Sequence, residues 1–270
     1  MSLLLCRQEN VKHPYYAESL GIHLYSSQEL SYVIYHYPLL VLDGFVGDGL
    51  LDFLRDELNH GFLALKLERW LKSNEDPDET LIMILQECDY YNPAEINRYR
   101  QKLAAIRKKH PAEYRKLKAD ELFSMRQYGR AVRLYRELLD YPQDSCVDDA
   151  FLGTVWNNLG ACYARMFQFE KAYEAYEMAY SRSSQPQVLE RLYCLTKLDE
   201  RLKLSDRFGI LVTEEMRQAW DGNMKTAREK AEQADSLRQL DELFKRDPIK
   251  RQAGEAQLLH KLKQDYRAMV

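Results

Sequence analysis

Apolar residues along this chain return every three or four positions, and residues that start or stop helices punctuate the runs. Ser26-Ser27-Gln28-Glu29 has the form of a capping box, in which the serine and the glutamate three residues later satisfy the amides of a helix start. The helix it opens runs through Tyr37 and stops at Pro38. Asp43 to Gly49 reads as a turn, and Leu50 to Asn59 as a helix with Leu51, Leu54 and Leu58 on one face. Phe62 to Lys72 is another. Asp76-Pro77-Asp78-Glu79 starts a helix carrying Leu81, Ile82, Leu85 and Cys88, and Asn92-Pro93 starts the next with asparagine at the cap and proline at the first helical position. His110-Pro111 ends that helix, and a further one begins at Ala112. No alternating strand pattern emerges, so an all-α fold is expected.

The pattern repeats internally. Gln127-Tyr128-Gly129-Arg130-Ala131-Val132-Arg133-Leu134-Tyr135 returns 41 residues later as Gln168-Phe169-Glu170-Lys171-Ala172-Tyr173-Glu174-Ala175-Tyr176, with Gln, Ala and Tyr identical and the aromatic and basic positions matched in kind. Ahead of the second copy, Trp156, Leu159, Gly160 and Tyr163 are spaced Trp-x2-Leu-Gly-x2-Tyr. A glycine in mid-helix costs about 1 kcal/mol relative to alanine, so Gly160 predicts a close approach to a partner helix. Trp156, Leu159, Tyr163 and Tyr176 would fill the hairpin, each contributing about 1.5–3 kcal/mol by burial.

With Ala172, Tyr176 and Ala179 in register, residues 153–186 resemble a tetratricopeptide repeat. A degenerate copy covers 112–145 with Ala119, Ala131 and Tyr135, and the surplus of the 41-residue spacing falls in Tyr141 to Ser145. Val188 to Arg201 supplies a following helix whose partner near Ser205 to Gly209 is eroded. The resemblance implies a right-handed α–α superhelix, a tetratricopeptide-like solenoid, across 92–210. An acidic, tyrosine-rich helical region (1–91) would precede it. A long C-terminal helical hairpin (211–270) would follow, with Thr213 to Arg246 as one helix, broken at Asp247-Pro248, and Ile249 to Met269 as the other. That hairpin is expected to cap the solenoid; a coiled-coil or partner-helix arm is the alternative.

By the same resemblance the first helix of each hairpin lines a concave groove. Thr154, Asn157, Ala161 and Arg165 of the strong copy would face it, with Glu113, Lys116 and Asp120 of the weak one. Asparagine pairs with the amides of an extended ligand, and Lys116 and Arg165 take carboxylates. The chaperone-tail carboxylate clamp of the family asks for more. Lys116 and Asn158 match it, but Asp120 replaces an asparagine, and Val188 and Leu192 stand at the two basic positions. The expected ligand is therefore another protein or peptide, not a chaperone tail.

Charge sharpens the picture without changing it. The total is −3, yet residues 1–91 carry 6 Lys+Arg against 15 Asp+Glu, and residues 92–140 carry 13 against 6. The two segments either present solvated surfaces or face each other, within the chain or across a dimer. Nine cations between Arg98 and Lys118, with Tyr99 and Tyr114, make nucleic acid an alternative partner, but Arg107-Lys108-Lys109 points around the helix and the acidic neighbour repels a polyanion. The N-terminal tyrosines Tyr15, Tyr16, Tyr25, Tyr32, Tyr35 and Tyr37 make a structural homo-oligomer a third reading.

No candidate catalytic residue, metal site or cofactor motif emerges. The six histidines lack ligand spacing, and the glycines of 44–49 are not followed by Gly-Lys-Ser/Thr. Glu75-Asp76-Asp78-Glu79 and Asp148-Asp149 suit helix starts. The five dispersed cysteines (Cys6, Cys88, Cys146, Cys162, Cys194) read as reduced thiols, the Met1–Cys6 start lacks the length of a signal segment, and no apolar run approaches a membrane span, so a cytoplasmic location is expected.

Overall fold

The computed structural model describes residues 9, 11–73, 75–245 and 247–270, with the side chains of 248–250 excepted. It divides into two compact units, Met1–Glu121 and Leu122–Val270, the division falling inside one helix. The Met1–Cys6 segment and Arg246 lie outside the described residues.

The first unit opens with a short antiparallel hairpin, β1 (Tyr15–Ala17) and β2 (Ile22–Leu24), in which Tyr15, Tyr16 and Ala17 pair with Leu24, His23 and Ile22. Gly21, at φ 71°, makes the turn. The chain is all-α as expected, and this hairpin is the one departure from helix and loop among the described residues. Three residues per strand are too few for a period-two pattern to register, and the hairpin holds because Ala17 and Leu24 are buried while Tyr15 packs edge-on to Phe45, 6.1 Å away, and beside Phe53 at 5.8 Å.

The helices follow: α1 (Ser27–His36), α2 (Pro38–Val41), α3 (Asp48–Asp52), α4 (Gly61–Lys72), α5 (Glu79–Glu87), α6 (Pro93–Arg107) and α7 (Pro111–Ser124). Ser26 caps α1 through the Glu29 amide, but the Glu29 carboxylate returns to the Tyr25 amide (2.6 Å) rather than to that of Ser26. Asn92 and Glu95 form the complete capping box. The helix expected over Leu50 to Asn59 instead changes winding after α3. Phe53–Glu57 is π-helical, with the Leu58 amide bonded to the Phe53 carbonyl, and Asn59 in the left-handed region at φ 58° ends it.

Carboxylates of the acidic N-terminal segment meet cations of the basic one within this unit. Arg107 donates to Asp78 (2.6 and 2.9 Å), to Asp43 (3.1 Å) and to the Leu42 carbonyl, and Arg100 pairs with Glu79. Asp78 is buried, so an unpaired charge there would be costly; the two-pronged guanidinium supplies its counter-charge. Tyr35 stacks on Tyr91 at 4.1 Å and on Tyr99 at 5.6 Å, whereas Tyr16, Tyr25 and Tyr32 stay exposed.

The second unit contains α8 (Tyr128–Leu139), α9 (Asp149–Arg165), α10 (Phe169–Ser183), α11 (Pro186–Leu198), α12 (Asp206–Gly209), α13 (Glu214–Glu232), α14 (Asp235–Phe244) and α15 (Pro248–Met269). Its densest packing is α9 on α10. A Cβ built on Gly153 would lie 3.3 Å from that of Ser183, and one on Gly160 would lie 2.8 Å from the Tyr176 ring. The early part of one helix thus faces the late part of the other, and the pair is antiparallel. The glycine at 160 makes room for an aromatic ring, and Ala172, one helical turn before that tyrosine, is buried.

The 41-residue repeat is present in backbone and side chain alike. Arg126 and Phe167 occupy the same left-handed position, at φ 61° and 60°. The Gln127 and Gln168 amides bond back five residues to Leu122 and Tyr163, both at 2.9 Å. The matched basic residues then donate to those glutamines, Arg130 at 2.7 Å and Lys171 at 3.1 Å. Ala131, Tyr135, Ala172 and Tyr176 are all buried.

The single helix expected over Thr213 to Arg246 is two. Ala234 is extended (φ −64°, ψ 142°), and Arg238 bonds the Gln233 carbonyl that ends α13. Asp235, at the start of α14, favours the new N-terminus electrostatically. Trp220 is the buried residue of α13, packed beside Tyr193 (5.4 Å), whose hydroxyl donates to Asp221 (2.9 Å). The close hairpin contact in this region joins α14 and α15, where Leu243 occupies the space a Gly254 side chain would fill.

Cys88, Cys146, Cys162 and Cys194 form no disulfide. Among the described residues no helix is long and apolar enough to cross a membrane.

Candidate peptide-binding site

Asn157 and Asn158 sit side by side on α9 because Leu159 and Val155 turn the neighbouring positions into the core. The Asn157 amide donates to Asn158 (3.1 Å), Asn158 reaches toward the Tyr135 hydroxyl of α8 at 3.5 Å, and Arg191 of α11 donates to the Asn157 carbonyl oxygen. The Arg191 guanidinium also lies 5.8 Å from the centre of the Tyr176 ring. One polar chain therefore links α8, α9 and α11 over the buried tyrosine of α10. Burial pushes the Tyr176 hydroxyl up to about 12, with Arg191 opposing the shift, so it stays protonated at neutral pH.

Arg165 lies at the other end of α9. It is exposed and forms no salt bridge with a described carboxylate. With Phe123, Arg126, Tyr128, Phe167, Phe169 and Leu198 it lines a cavity of about 640 Å³ at the turns that lead into α8 and α10. Phe167 and Leu198 remain 73% and 58% exposed, so the apolar lining is open to solvent beside two guanidinium groups. Met269 of α15 reaches the same cavity. A smaller cavity, about 250 Å³, lies among Arg136, Trp156, Tyr163, Lys171 and Glu174, where both cations lie within 6 Å of the Tyr163 ring, at 5.9 and 5.8 Å.

The remaining residues singled out from sequence have internal partners. The Thr154 hydroxyl donates to the Ala150 carbonyl of its own helix (3.0 Å). Lys116 pairs with Asp120 at 2.7 Å, one turn away on α7, in the first unit. Within the second unit Asn157 and Asn158 are joined, and Arg165 stands apart from them at the cavity.

Arg191, Arg126, Phe167, Leu198 and Met269 were not apparent from sequence. The signal for Phe167 lay in the repeat: it aligns with Arg126 at the same 41-residue offset, one position before the matched glutamines. Arg191 carries the α11 cation one residue before Leu192, where the clamp pattern would have sought it. In the first unit, Arg100, Arg107, Lys109 and Lys116, all from the basic stretch, are matched by Glu79, Asp78 with Asp43, Glu113 and Asp120. No protein-family model, no curated protein and no solved structure matches this chain.

Proposed function

We propose that this chain is a non-catalytic adaptor that binds a peptide segment of another protein, and that its second unit is built on tetratricopeptide-like hairpins. The observation that carries the reading is the cavity at Arg165. Unpaired positive charge stands there beside exposed phenylalanine and leucine side chains, a surface suited to an acidic residue flanked by apolar ones. The antiparallel α9–α10 pair, its glycine under an aromatic ring, and the duplicated turn support the repeat resemblance. The Asn157–Arg191 pair extends the polar surface from α9 to α11, where an extended ligand's backbone would find donors and acceptors.

The test is selection from a random peptide library on the full chain and on Arg165→Glu. A consensus of an acidic residue between apolar ones is expected, at least ten-fold depleted on the variant. Recovery of the same consensus from both proteins would remove Arg165 from the site. The internally paired cations of the first unit make nucleic acid the weaker reading.

A further inference from the structure

The cavity at Arg165 already has an occupant from the same chain. Met269, near the end of α15, is half-buried among the residues that line it, and the backbone of Val270 lies against Gly129 in the first turn of α8. A Cβ on Gly129 would overlap the Val270 carbonyl group. The repeat makes this glycine conspicuous. Its counterpart 41 residues on is Glu170, a sound helix former, and nothing within α8 itself requires glycine. The missing side chain is accounted for by the segment seated upon it.

The remainder of α15 gives little hold. Near its start Gly254 rests on Leu243, and Arg251 lies 5.6 Å from the Phe244 ring. From Glu255 to Ala268 every residue is exposed except Leu258, which is half-buried. Leu259, Leu262 and Tyr266, at 52%, 55% and 41% exposure, recur at the spacing of one helical face without a cover. About 22 Å of helix therefore runs through solvent between the two points of contact. A helix held in this way can leave its distal seat without disturbing the α8–α11 core.

We infer that the end of α15 is a cis-acting occupant of the Arg165 cavity, held by Met269 and by the Gly129–Val270 contact, and that a ligand peptide gains the cavity when this helix end leaves. The inference rests on the peptide-binding reading for its consequence, but the seat itself is physical and separately measurable. The occupant also indicates what the cavity accepts: the end of a helix that presents an unbranched apolar side chain and brings its backbone onto glycine.

The experiment has two arms, both on the full chain. In the first, native-state hydrogen exchange is followed in wild type, Gly129→Ala and Met269→Lys, whose ammonium the Arg126 and Arg165 guanidinium groups would repel. Exchange over residues 259–270 should quicken at least ten-fold in both variants, whereas α8 should be unchanged or slower in Gly129→Ala, since alanine favours its helix. Simple damage to α8 would instead speed both segments. Unchanged exchange over 259–270 in Gly129→Ala overturns the seat, whatever the peptide data show.

In the second arm the random library is offered to wild type and to Met269→Lys, whose cavity lining on α8 to α11 is intact. At least ten-fold greater recovery on Met269→Lys is expected. Equal recovery, with exchange accelerated, means that α15 does not govern access and overturns the inference. A library that yields no consensus on either protein defeats the adaptor reading, and with it the gating role, while the exchange arm still decides the seat.

Discussion

Two glycines in helices separate the reasons a chain keeps this residue. Gly160 lies where a methyl group would come within 2.8 Å of a buried aromatic ring, and Gly222 in α13 has nothing within 4 Å. Gly160→Ala gains about 1 kcal/mol of helix propensity but must displace the Tyr176 ring, at about 1–3 kcal/mol for overpacking. A net loss on the order of 1 kcal/mol in urea unfolding is the expected outcome. Gly222→Ala meets no such opposition and should be neutral or gain about 0.5–1 kcal/mol, measured as helix protection in hydrogen exchange. A Gly160→Ala protein at least as stable as wild type would remove the close approach on which the α9–α10 geometry depends.

At the scale of elements, the Arg107 clasp ties the α2–α3 connection, the start of α5 and the end of α6, and Tyr114 adds α7 through its 2.7 Å hydrogen bond to Asp43. Burial alone would raise the pKa of Asp43, but hydrogen bonds from Tyr114 and Arg107 outweigh it and hold the carboxyl below its ordinary 3.8. A depressed carboxyl contributes stability above its unfolded-state pKa and loses it as pH falls through the folded value. Wild type should therefore lose stability more steeply than Asp43→Asn between about pH 4 and pH 2, as followed by urea midpoints at each pH. Parallel curves would show that the clasp carries no such linkage. Elements whose signals are local were legible in the sequence: the Asn92-Pro93 start, the Ser26 cap, the hairpin around Gly160. The π-helical stretch after Asp52, the three-residue strands and the break at Ala234 were not, because tertiary packing or a single dihedral decides each. Likewise Asn157 and Arg165 could be named from register on their own helix, whereas Arg191 and Met269 enter through contacts with distant segments.

At the scale of the whole molecule, charge supplies the most direct check. The change of sign near residue 91 marks complementary surfaces that meet inside the first unit at Arg100–Glu79 and Arg107–Asp78. Cations so paired are poor phosphate contacts, since a polyanion would have to displace carboxylates that cannot leave. A single-stranded oligonucleotide should therefore not be retained in filter binding at about 0.15 M salt. Retention that falls steeply with added salt would reinstate nucleic acid as the partner.

The left-handed residues Arg126 and Phe167 bear on how such a molecule is re-engineered. A non-glycine side chain in that conformation costs on the order of 1 kcal/mol, and here it is held at equivalent turns by residues with nothing chemical in common. The turn backbone therefore does not select the side chain. Both positions border one cavity. They form a pair of interchangeable plug-in sites, where asparagine, aspartate or glycine fits the backbone well and any new side chain redraws the rim. Editing these two sites would reshape the rim of the cavity while leaving every helix as it stands.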